Sequence, residues 1–162
     1  MLRNLHIAPG NGGMHDLGTM TDVDAMDFPA VERYVRKHAI DLIVVGSEAP
    51  LVAGIADYFE TSQKTNVAVV GPKKKGAMLE GSKEFAKSFM QRHNIPTARY
   101  ASFGSDQLSE AIKALDTFKS PYVIKADGLA GGKGVIITES KLEAAETLEA
   151  MLTGGAFKEA GE

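Results

Sequence analysis

Short β-branched segments alternate with amphipathic helical segments along most of this 162-residue chain. Residues 42–45 and 67–70 are the clearest strands, because each run ends at a turn glycine and a helical pattern lies between them. A continuous aliphatic run such as residues 42–45 is expected in a strand that is buried on both faces. The alternation is typical of βα units around a mostly parallel sheet, so we predict an α/β fold.

Local signals predict where several helices begin. Asp27 and Ser82 stand at expected N-cap positions, and Ser140 with Glu143 forms a capping box. The helix that Asp27 caps should end near His38. The other predicted elements are strands at residues 5–8, 99–103, 122–126 and 135–138, and helices at residues 50–59, 73–79 and 105–118, the last one capped by Ser105. Beyond residue 72 the alternation of strands and helices gives way to two consecutive helical stretches. We therefore place a domain boundary near residue 80, with domains at residues 1–79 and 80–162.

Composition excludes several classes of function. The 18 lysines and arginines nearly balance the 21 aspartates and glutamates, so the chain lacks the charge of a dedicated nucleic-acid-binding protein. It has no cysteine, which excludes disulfides, thiolate metal sites and a cysteine nucleophile. No apolar run approaches the roughly 20 residues that span a bilayer. We therefore expect a globular cytoplasmic protein without nucleic-acid or membrane partners.

The most informative segment is the glycine-rich stretch at residues 125–135. Four glycines within residues 128–134, with Lys133 among them, would allow backbone N–H groups and an ammonium to approach phosphate oxygens. A Walker A loop is excluded, because Gly134 stands where that motif needs Ser or Thr. Since residues 135–138 are β-branched, the pattern predicts an antiparallel strand–loop–strand that can fold over a nucleotide triphosphate.

The alternative is an ordinary hairpin connection with Lys133 in solvent. Two features favour phosphate binding. Lys125 lies on the preceding strand, on the same face as Val123, where its ammonium needs an anionic partner. Lys133 stands between glycines, which leave its side chain free to reach a ligand.

Two glycine-containing turns follow predicted strands in the first domain. Gly10 and Asn11 follow the first strand, and Gly46 and Glu48 follow the strand at residues 42–45. Open parallel sheets bind ligands at the carboxyl ends of their strands, so these residues form a candidate phosphosugar site. Glu48 could accept hydrogen bonds there from ribose hydroxyls or from a reacting amine. The alternative stays open that the glycines only permit tight turns and that Glu48 pairs with a lysine.

Three longer segments carry a family resemblance: Leu79-Glu-Gly-Ser-Lys-Glu-Phe-Ala-Lys-Ser-Phe89, Asn94-Ile-Pro-Thr-Ala98 and Val123-Ile-Lys-Ala-Asp-Gly-Leu-Ala-Gly-Gly-Lys-Gly-Val135. Together they resemble the phosphoribosylamine–glycine ligase family, also called glycinamide ribonucleotide synthetases. Residues 7–11 and 45–51 look like the family's two N-domain motifs, with Ser47 where the family usually has Pro. The resemblance implies a Rossmann-like, pre-ATP-grasp first domain followed by the start of an ATP-grasp domain.

The resemblance also implies a reaction and a set of binding residues. In this family ATP phosphorylates the glycine carboxylate, and the amine of phosphoribosylamine attacks the acyl phosphate, which releases phosphate. Implied contacts to ATP fall on Lys83, Lys125, Asp127, Gly128, Gly131, Gly132, Lys133 and Gly134, and those to substrate on Gly10, Asn11, Gly46 and Glu48. No catalytic residue is assigned within the chain. For Lys83 the alternative is a solvated position in the first turn of a helix, where a lysine is unfavourable unless an anion lies near.

Parts of the family pattern are not matched. Sequences of this family begin with a strand and the loop Gly-Asn-Gly-Gly-Arg-Glu-His. Their magnesium ligands lie beyond the position that corresponds to Glu162. We therefore expect this chain to be a fragment of a larger enzyme. The intact parent should be a monomer that uses Mg²⁺ or Mn²⁺. The fragment itself should hold no metal, since its four histidines lack the spacing of metal ligands. The chain alone should have little or no ligase activity. The alternatives are another ATP-grasp enzyme, similar to biotin carboxylase or carboxyaminoimidazole synthetase, and a non-catalytic nucleotide-binding module.

Overall fold

The computed structural model describes residues 2–129 and 134–154. The chain forms two compact units, Met1–Met78 and Leu79–Glu162, and each has a hydrophobic core of its own. Both units combine helices with strands, which confirms the predicted α/β class. In the described part of the chain, no helix is long and apolar enough to cross a membrane.

The first unit contains pairs of parallel strands. Its elements are β1 (His6–Ile7), β2 (Thr19–Met20), α1 (Phe28–Lys37), β3 (Leu42–Val44), α2 (Glu48–Ala53), α3 (Ile55–Thr61) and β4 (Ala68–Val70), with a short 3-10 helix at Gly12–Met14. β1 pairs with β2, and β3 pairs with β4 with Ile43 opposite Val69. Since α2 and α3 connect β3 to β4, these elements form the βαβ unit that the alternation predicts. The next helix, α4 (Lys74–Gly81), contains the boundary between the units.

Helix α1 begins and ends where the sequence predicts. The Asp27 side chain accepts a hydrogen bond from the Ala30 N–H at 3.0 Å. Pro29 occupies the first turn, where a backbone N–H has no helical partner. Val35 is buried and packs against α3 in the core of the unit. One face of α1 is thus fixed against α3.

Strand β3 is covered on one face only. Ile43 packs against the core, whereas Leu42 and Val44 on either side of it are 51% and 67% exposed. The expectation of a strand buried on both faces is therefore wrong for the described residues. Successive side chains of a strand point to opposite faces, and the helices of this unit cover one of them.

The predicted helix at residues 50–59 is in fact two helices. α2 ends and α3 begins at Gly54, whose φ of 104° lies in the left-handed region that side chains rarely adopt. Its N–H donates to the carbonyls of Pro50 and Leu51 at 3.0 Å, which closes the last turn of α2. After this break, α3 buries Ile55 and Phe59 in the core.

Strand β1 is attached to α1 through aromatic side chains. His6 Nδ1 and the Tyr34 hydroxyl form a hydrogen bond of 2.9 Å. The ring of His38, the C-cap residue of α1, stacks on Tyr34 with 4.2 Å between centroids. These contacts position β1 and therefore the turn at Gly10 that follows it.

Glu32 is a buried carboxylate of α1 that contacts the segment after α3. It is 3% exposed, accepts hydrogen bonds from the hydroxyls of Ser62 and Tyr58, and lies 3.4 Å from Lys64 Nζ. The hydrogen bond from Ser62, together with Lys64 and Tyr58, outweighs desolvation and lowers the pKa of Glu32. The carboxylate thus holds the chain after α3 against α1.

The first unit is expected to lose stability in acid through Glu32. A carboxyl whose pKa is lower in the folded chain contributes stability above its unfolded pKa, and this is lost as the pH falls through the folded value. The urea midpoint, followed by NMR signals of the first unit, should therefore fall between about pH 5 and pH 3 in the wild type. In Glu32→Gln the midpoint should start lower and change less with pH.

The control for this prediction is Glu60→Gln, which removes the exposed partner of Lys73. Exposed ion pairs contribute little to stability, so this variant should keep the wild-type pH profile. Identical pH profiles for Glu32→Gln and the wild type would contradict the assigned contribution of Glu32.

The second unit combines helices with an antiparallel hairpin. Its elements are α5 (Lys83–Arg92), α6 (Leu108–Ala114), β5 (Tyr122–Lys125), β6 (Val135–Thr138) and α7 (Lys141–Thr153), with a 3-10 helix at Leu115–Thr117. β5 and β6 pair antiparallel with Lys125 opposite Val135, which confirms the predicted strand–loop–strand. Ile124 of β5 packs against Leu115 and against Ala144 of α7 in the core of this unit.

Two expectations for the second unit are wrong. Residues 99–103 form no strand in the described structure, and the next helix begins at Leu108 instead of after a Ser105 cap. A segment of residues that favour strands forms no strand without a neighbouring strand to share backbone hydrogen bonds with. Arg99 instead donates a side-chain hydrogen bond to the carbonyl of Thr117 at 2.8 Å.

Helix α7 begins at the predicted cap, but the capping box is only half formed. Ser140 Oγ accepts from the Glu143 N–H at 3.3 Å, as predicted. The Glu143 carboxylate does not accept from the Ser140 N–H, because Thr138 lies between them. The Thr138 hydroxyl accepts from the Ser140 N–H at 3.0 Å and donates to Glu143. The end of β6 is thereby joined to the start of α7.

Candidate functional site

The glycine-rich segment connects β5 to β6. The Ala126 N–H donates to the Gly134 carbonyl at 2.8 Å, which extends the ladder beyond the two strands. Gly128 has a φ of 84°, a conformation that would strain any side chain. Of the predicted ATP contacts, Gly131, Gly132 and Lys133 lie outside the described residues.

Lys125 is the last residue of β5 and lies on the exposed face of the hairpin. Val123 shares that face, while Ile124 between them is buried in the core, as the period of a strand predicts. With the described residues, the Lys125 ammonium forms no ion pair. Its charge is therefore accessible to an anionic ligand.

A carboxylate joins the residues after β5 to the start of α5. Asp127 Oδ1 accepts hydrogen bonds from the backbone N–H groups of Lys83 at 2.6 Å and Glu84 at 3.2 Å. Its Oδ2 accepts from the Ser82 hydroxyl at 2.9 Å. Ser82 Oγ accepts in turn from the Phe85 N–H at 3.0 Å, which confirms the predicted cap. The N–H groups of the first turn of α5 are thus bonded to side chains.

Lys83 is held at both ends. Its backbone N–H donates to Asp127, and its Nζ donates to the carbonyl of Gly128 at 2.8 Å. A lysine in the first turn opposes the helix dipole, and the Asp127 carboxylate supplies the compensating anion. The structure thus brings together three of the predicted ATP-binding residues, although Lys83 stands 44 positions before Asp127 in the sequence.

Asp127 is an ionised carboxylate in this setting. Partial desolvation raises the pKa of Asp127, but hydrogen bonds from Ser82 and from the N–H groups of Glu84, Lys83 and Gly128 outweigh that effect. The pKa therefore lies below its ordinary value, and the group is negatively charged at neutral pH. A carboxylate that stays ionised cannot serve as a general acid.

The turns of the first unit lie after β1 and β3. Asn11 accepts a hydrogen bond from the Gly13 N–H at 3.0 Å and so caps the short 3-10 helix. Glu48 is the exposed first residue of α2, and it forms no ion pair with the described residues. A side chain at Gly46 would meet open space, so tight packing does not require this glycine. Nor does any described hydrogen bond join Gly10 or Asn11 to Gly46 or Glu48.

The described residues do not assemble a metal centre. No group of three or more His, Asp or Glu side chains among them could hold a metal ion. Asp127 is the carboxylate at the start of the glycine-rich segment, and both of its oxygens accept hydrogen bonds from Ser82 and α5. Asp127 is therefore engaged by protein donors and does not fit a Mg²⁺ ligand in this arrangement.

Comparison with known proteins identifies the class of the hairpin unit. The family model "Phosphoribosylglycinamide synthetase, N domain" matches residues 1–80, and "Phosphoribosylglycinamide synthetase, ATP-grasp (A) domain" matches residues 81–162. The hairpin and its glycine-rich segment thus belong to an ATP-grasp domain. The chain as a whole is a member of the phosphoribosylglycinamide synthetase family. This confirms the family that the sequence motifs resemble.

Named relatives agree with this assignment. The phosphoribosylamine–glycine ligases of Caldanaerobacter subterraneus subsp. tengcongensis and Vibrio cholerae are 40% and 41% identical to the chain over 161 and 160 residues. These matches cover 99% and 97% of the chain but 37% and 36% of the relatives. The chain thus spans a little over a third of the length of these curated relatives.

Solved structures agree as well. The crystal structure of the phosphoribosylamine–glycine ligase of Thermotoga maritima matches with a TM-score of 0.70 and 34% identity, over 97% of this chain and 35% of that chain. The biotin carboxylase domain of the Hydrogenobacter thermophilus 2-oxoglutarate carboxylase, solved with MgADP, ADP and bicarbonate, matches with a TM-score of 0.66 and 19% identity, over 96% and 37% of the two chains. The second match shows a shared fold only.

Proposed function

We propose that this chain is part of an ATP-dependent ligase that joins glycine to 5-phosphoribosylamine and gives glycinamide ribonucleotide, ADP and phosphate. ATP transfers its γ-phosphoryl group to the glycine carboxylate. The amine of phosphoribosylamine then attacks the carbonyl carbon of glycyl phosphate and expels phosphate. Membership in the family and the names of the relatives support this reaction.

The observation that carries the proposal is the Lys83 ammonium held at the start of the glycine-rich segment. Lys83 Nζ lies 2.8 Å from the Gly128 carbonyl, and Lys125 ends the strand that leads into the segment. Phosphoryl transfer depends mainly on positioning and on positive charge around the phosphates. We assign the ATP phosphates to Lys83, Lys125 and the segment at residues 128–134, which includes Gly131, Gly132, Lys133 and Gly134.

The first domain, residues 1–79, is proposed to bind phosphoribosylamine, and residues 80–162 to belong to the ATP-grasp domain. Gly10 with Asn11 and Gly46 with Glu48 follow the carboxyl ends of β1 and β3, where open parallel sheets bind ligands. The exposed Glu48 carboxylate could accept hydrogen bonds from ribose hydroxyls or the amine. The parent enzyme is proposed to act in the cytoplasm as a monomer with Mg²⁺ or Mn²⁺.

The chain is expected to bind MgATP without forming ADP. Binding follows from the lysines near the glycine-rich segment, and the absence of turnover from the lack of a metal-holding cluster among the described residues. Calorimetry should give one MgATP bound per chain. AMP lacks the β- and γ-phosphates that the lysines would hold, so it should bind at least about tenfold more weakly than MgATP.

ADP formation is measured with glycine plus phosphoribosylamine, and separately with bicarbonate in place of glycine. Calorimetry without any MgATP heat would contradict nucleotide binding. Turnover that needs glycine and phosphoribosylamine would contradict the expected inactivity of the chain but support the reaction. Turnover that needs bicarbonate would assign the chain to the carboxylase alternative instead.

A further inference from the structure

We infer that Asp127 is a positioning residue that acts through Lys83. Its carboxylate fixes the start of α5 to the end of β5, so that the Lys83 ammonium is held at the start of the glycine-rich segment. The inference rests on the proposed function, since its consequence is a change in MgATP affinity. We assign Asp127 this role in place of a direct contact with ATP.

The hydrogen bonds of Asp127 exclude it as a phosphate ligand. Both carboxylate oxygens are engaged, Oδ1 by the N–H groups of Lys83 and Glu84 and Oδ2 by the Ser82 hydroxyl. A carboxylate would also repel the triphosphate. The same bonds occupy the first N–H groups of α5, which a phosphate would otherwise use at a helix start. Phosphate binding at this point is therefore left to the lysine side chain.

The contacts of Lys83 explain how Asp127 can act through it. A free lysine side chain has several rotatable bonds, and ordering them on binding costs conformational entropy. Here the backbone N–H is fixed by Asp127 and Nζ by the Gly128 carbonyl, one residue further along the same turn. A pre-ordered side chain binds with a smaller entropy loss. Without Asp127, the Lys83 Nζ bond alone would join the start of α5 to the Gly128 carbonyl, and the backbone N–H groups of Lys83 and Glu84 would lose their described partner.

A double-mutant cycle on the full chain tests this inference. The Kd for MgATP is measured by calorimetry for the wild type, Asp127→Ala, Lys83→Met and the double variant. Asp127→Ala should raise Kd about tenfold in the wild-type background and less than about twofold in the Lys83→Met background, because its effect passes through Lys83.

Two further variants separate positioning from a general effect of charge. Asp127→Asn keeps an oxygen that can accept from the N–H groups of Lys83 and Glu84, so it should restore most of the affinity. Glu146→Gln removes an exposed negative charge from α7 of the same unit and should change Kd less than about twofold. An equal loss for Asp127→Ala in both backgrounds would overturn the inference, because Asp127 would then act independently of Lys83.

An NMR measurement keeps the inference testable if the proposed function fails. If the wild type binds no MgATP, the proposed function is wrong at this site, and the geometry is decided by nuclear Overhauser effects between the Lys83 side chain and the Gly128 α-protons. These effects should be present in the wild type and Glu146→Gln and absent in Asp127→Ala. Their persistence in Asp127→Ala would overturn the inference.

Discussion

Methionine in place of both Lys125 and Lys133 is expected to raise the Kd for MgATP by about 100-fold. Each ammonium would bond a phosphate oxygen, and a hydrogen bond to a charged group contributes about 1.5–3 kcal/mol. Two such bonds contribute at least about 3 kcal/mol, which is two factors of ten in Kd. Lys125 lies on the exposed face of β5, so methionine there removes the charge without disturbing the core. Calorimetry on both single variants and the double variant measures the effect.

A matched control removes two lysines from the same unit at exposed positions elsewhere. Lys113→Met with Lys119→Met gives the same change in net charge, and neither residue lies on the hairpin. This control should shift Kd less than about threefold, since exposed charges at a distance are screened by salt. If the two double variants had the same Kd, the glycine-rich hairpin could not be the phosphate site.

The starts of three helices could be predicted because their causes are local. The side chains of Asp27, Ser82 and Ser140 each bond an N–H group three residues further along the chain. The antiparallel hairpin is also a local structure, since a glycine-rich connection joins two β-branched segments that follow one another. Short-range patterns in a sequence record such contacts directly.

Contacts between distant segments could not be predicted in the same way. Asp127 bonds the start of α5 across 44 positions of sequence, and no local pattern marks a carboxylate as the partner of that helix. The motif resemblance assigns Lys83 and Asp127 to one ligand but implies no contact between them. The sequence thus predicts Ser82 as a cap but not its hydrogen bond to Asp127.

Two predictions from residue type alone are wrong because tertiary contacts determine the local structure. Ser105 has the right side chain for a cap, yet α6 begins after Gln107 without a side-chain cap. Residues 42–45 look like a doubly buried strand by composition, although only one face of β3 meets the core. In each case the residue type allows the predicted structure, and the neighbours that the fold supplies determine whether it forms.

Phe59→Ala is expected to destabilise the first unit by about 3–5 kcal/mol. Phe59 is 4% exposed and packs with Val35 and Ile55 at the centre of that unit's core. Truncation to alanine removes the buried ring and leaves a cavity that the surrounding helices can only partly close. A domain of this size has a total stability on the order of 5–10 kcal/mol, so the variant should lose a large share of it. The urea midpoint, read from NMR signals of α1 and α3, measures the loss.

The second unit of the same molecule is the internal control for Phe59→Ala. The second unit has a separate core around Leu115, Ile124 and Ala144, so NMR signals from these residues should keep their wild-type midpoint in Phe59→Ala. Leu17→Ala, at a residue that is 64% exposed, removes apolar atoms without opening a cavity and should leave both midpoints unchanged. If Phe59→Ala lowered both midpoints together, the two cores would be energetically coupled. In that case the loss of MgATP affinity expected for the lysine variants would need to be measured against the stability of the whole chain.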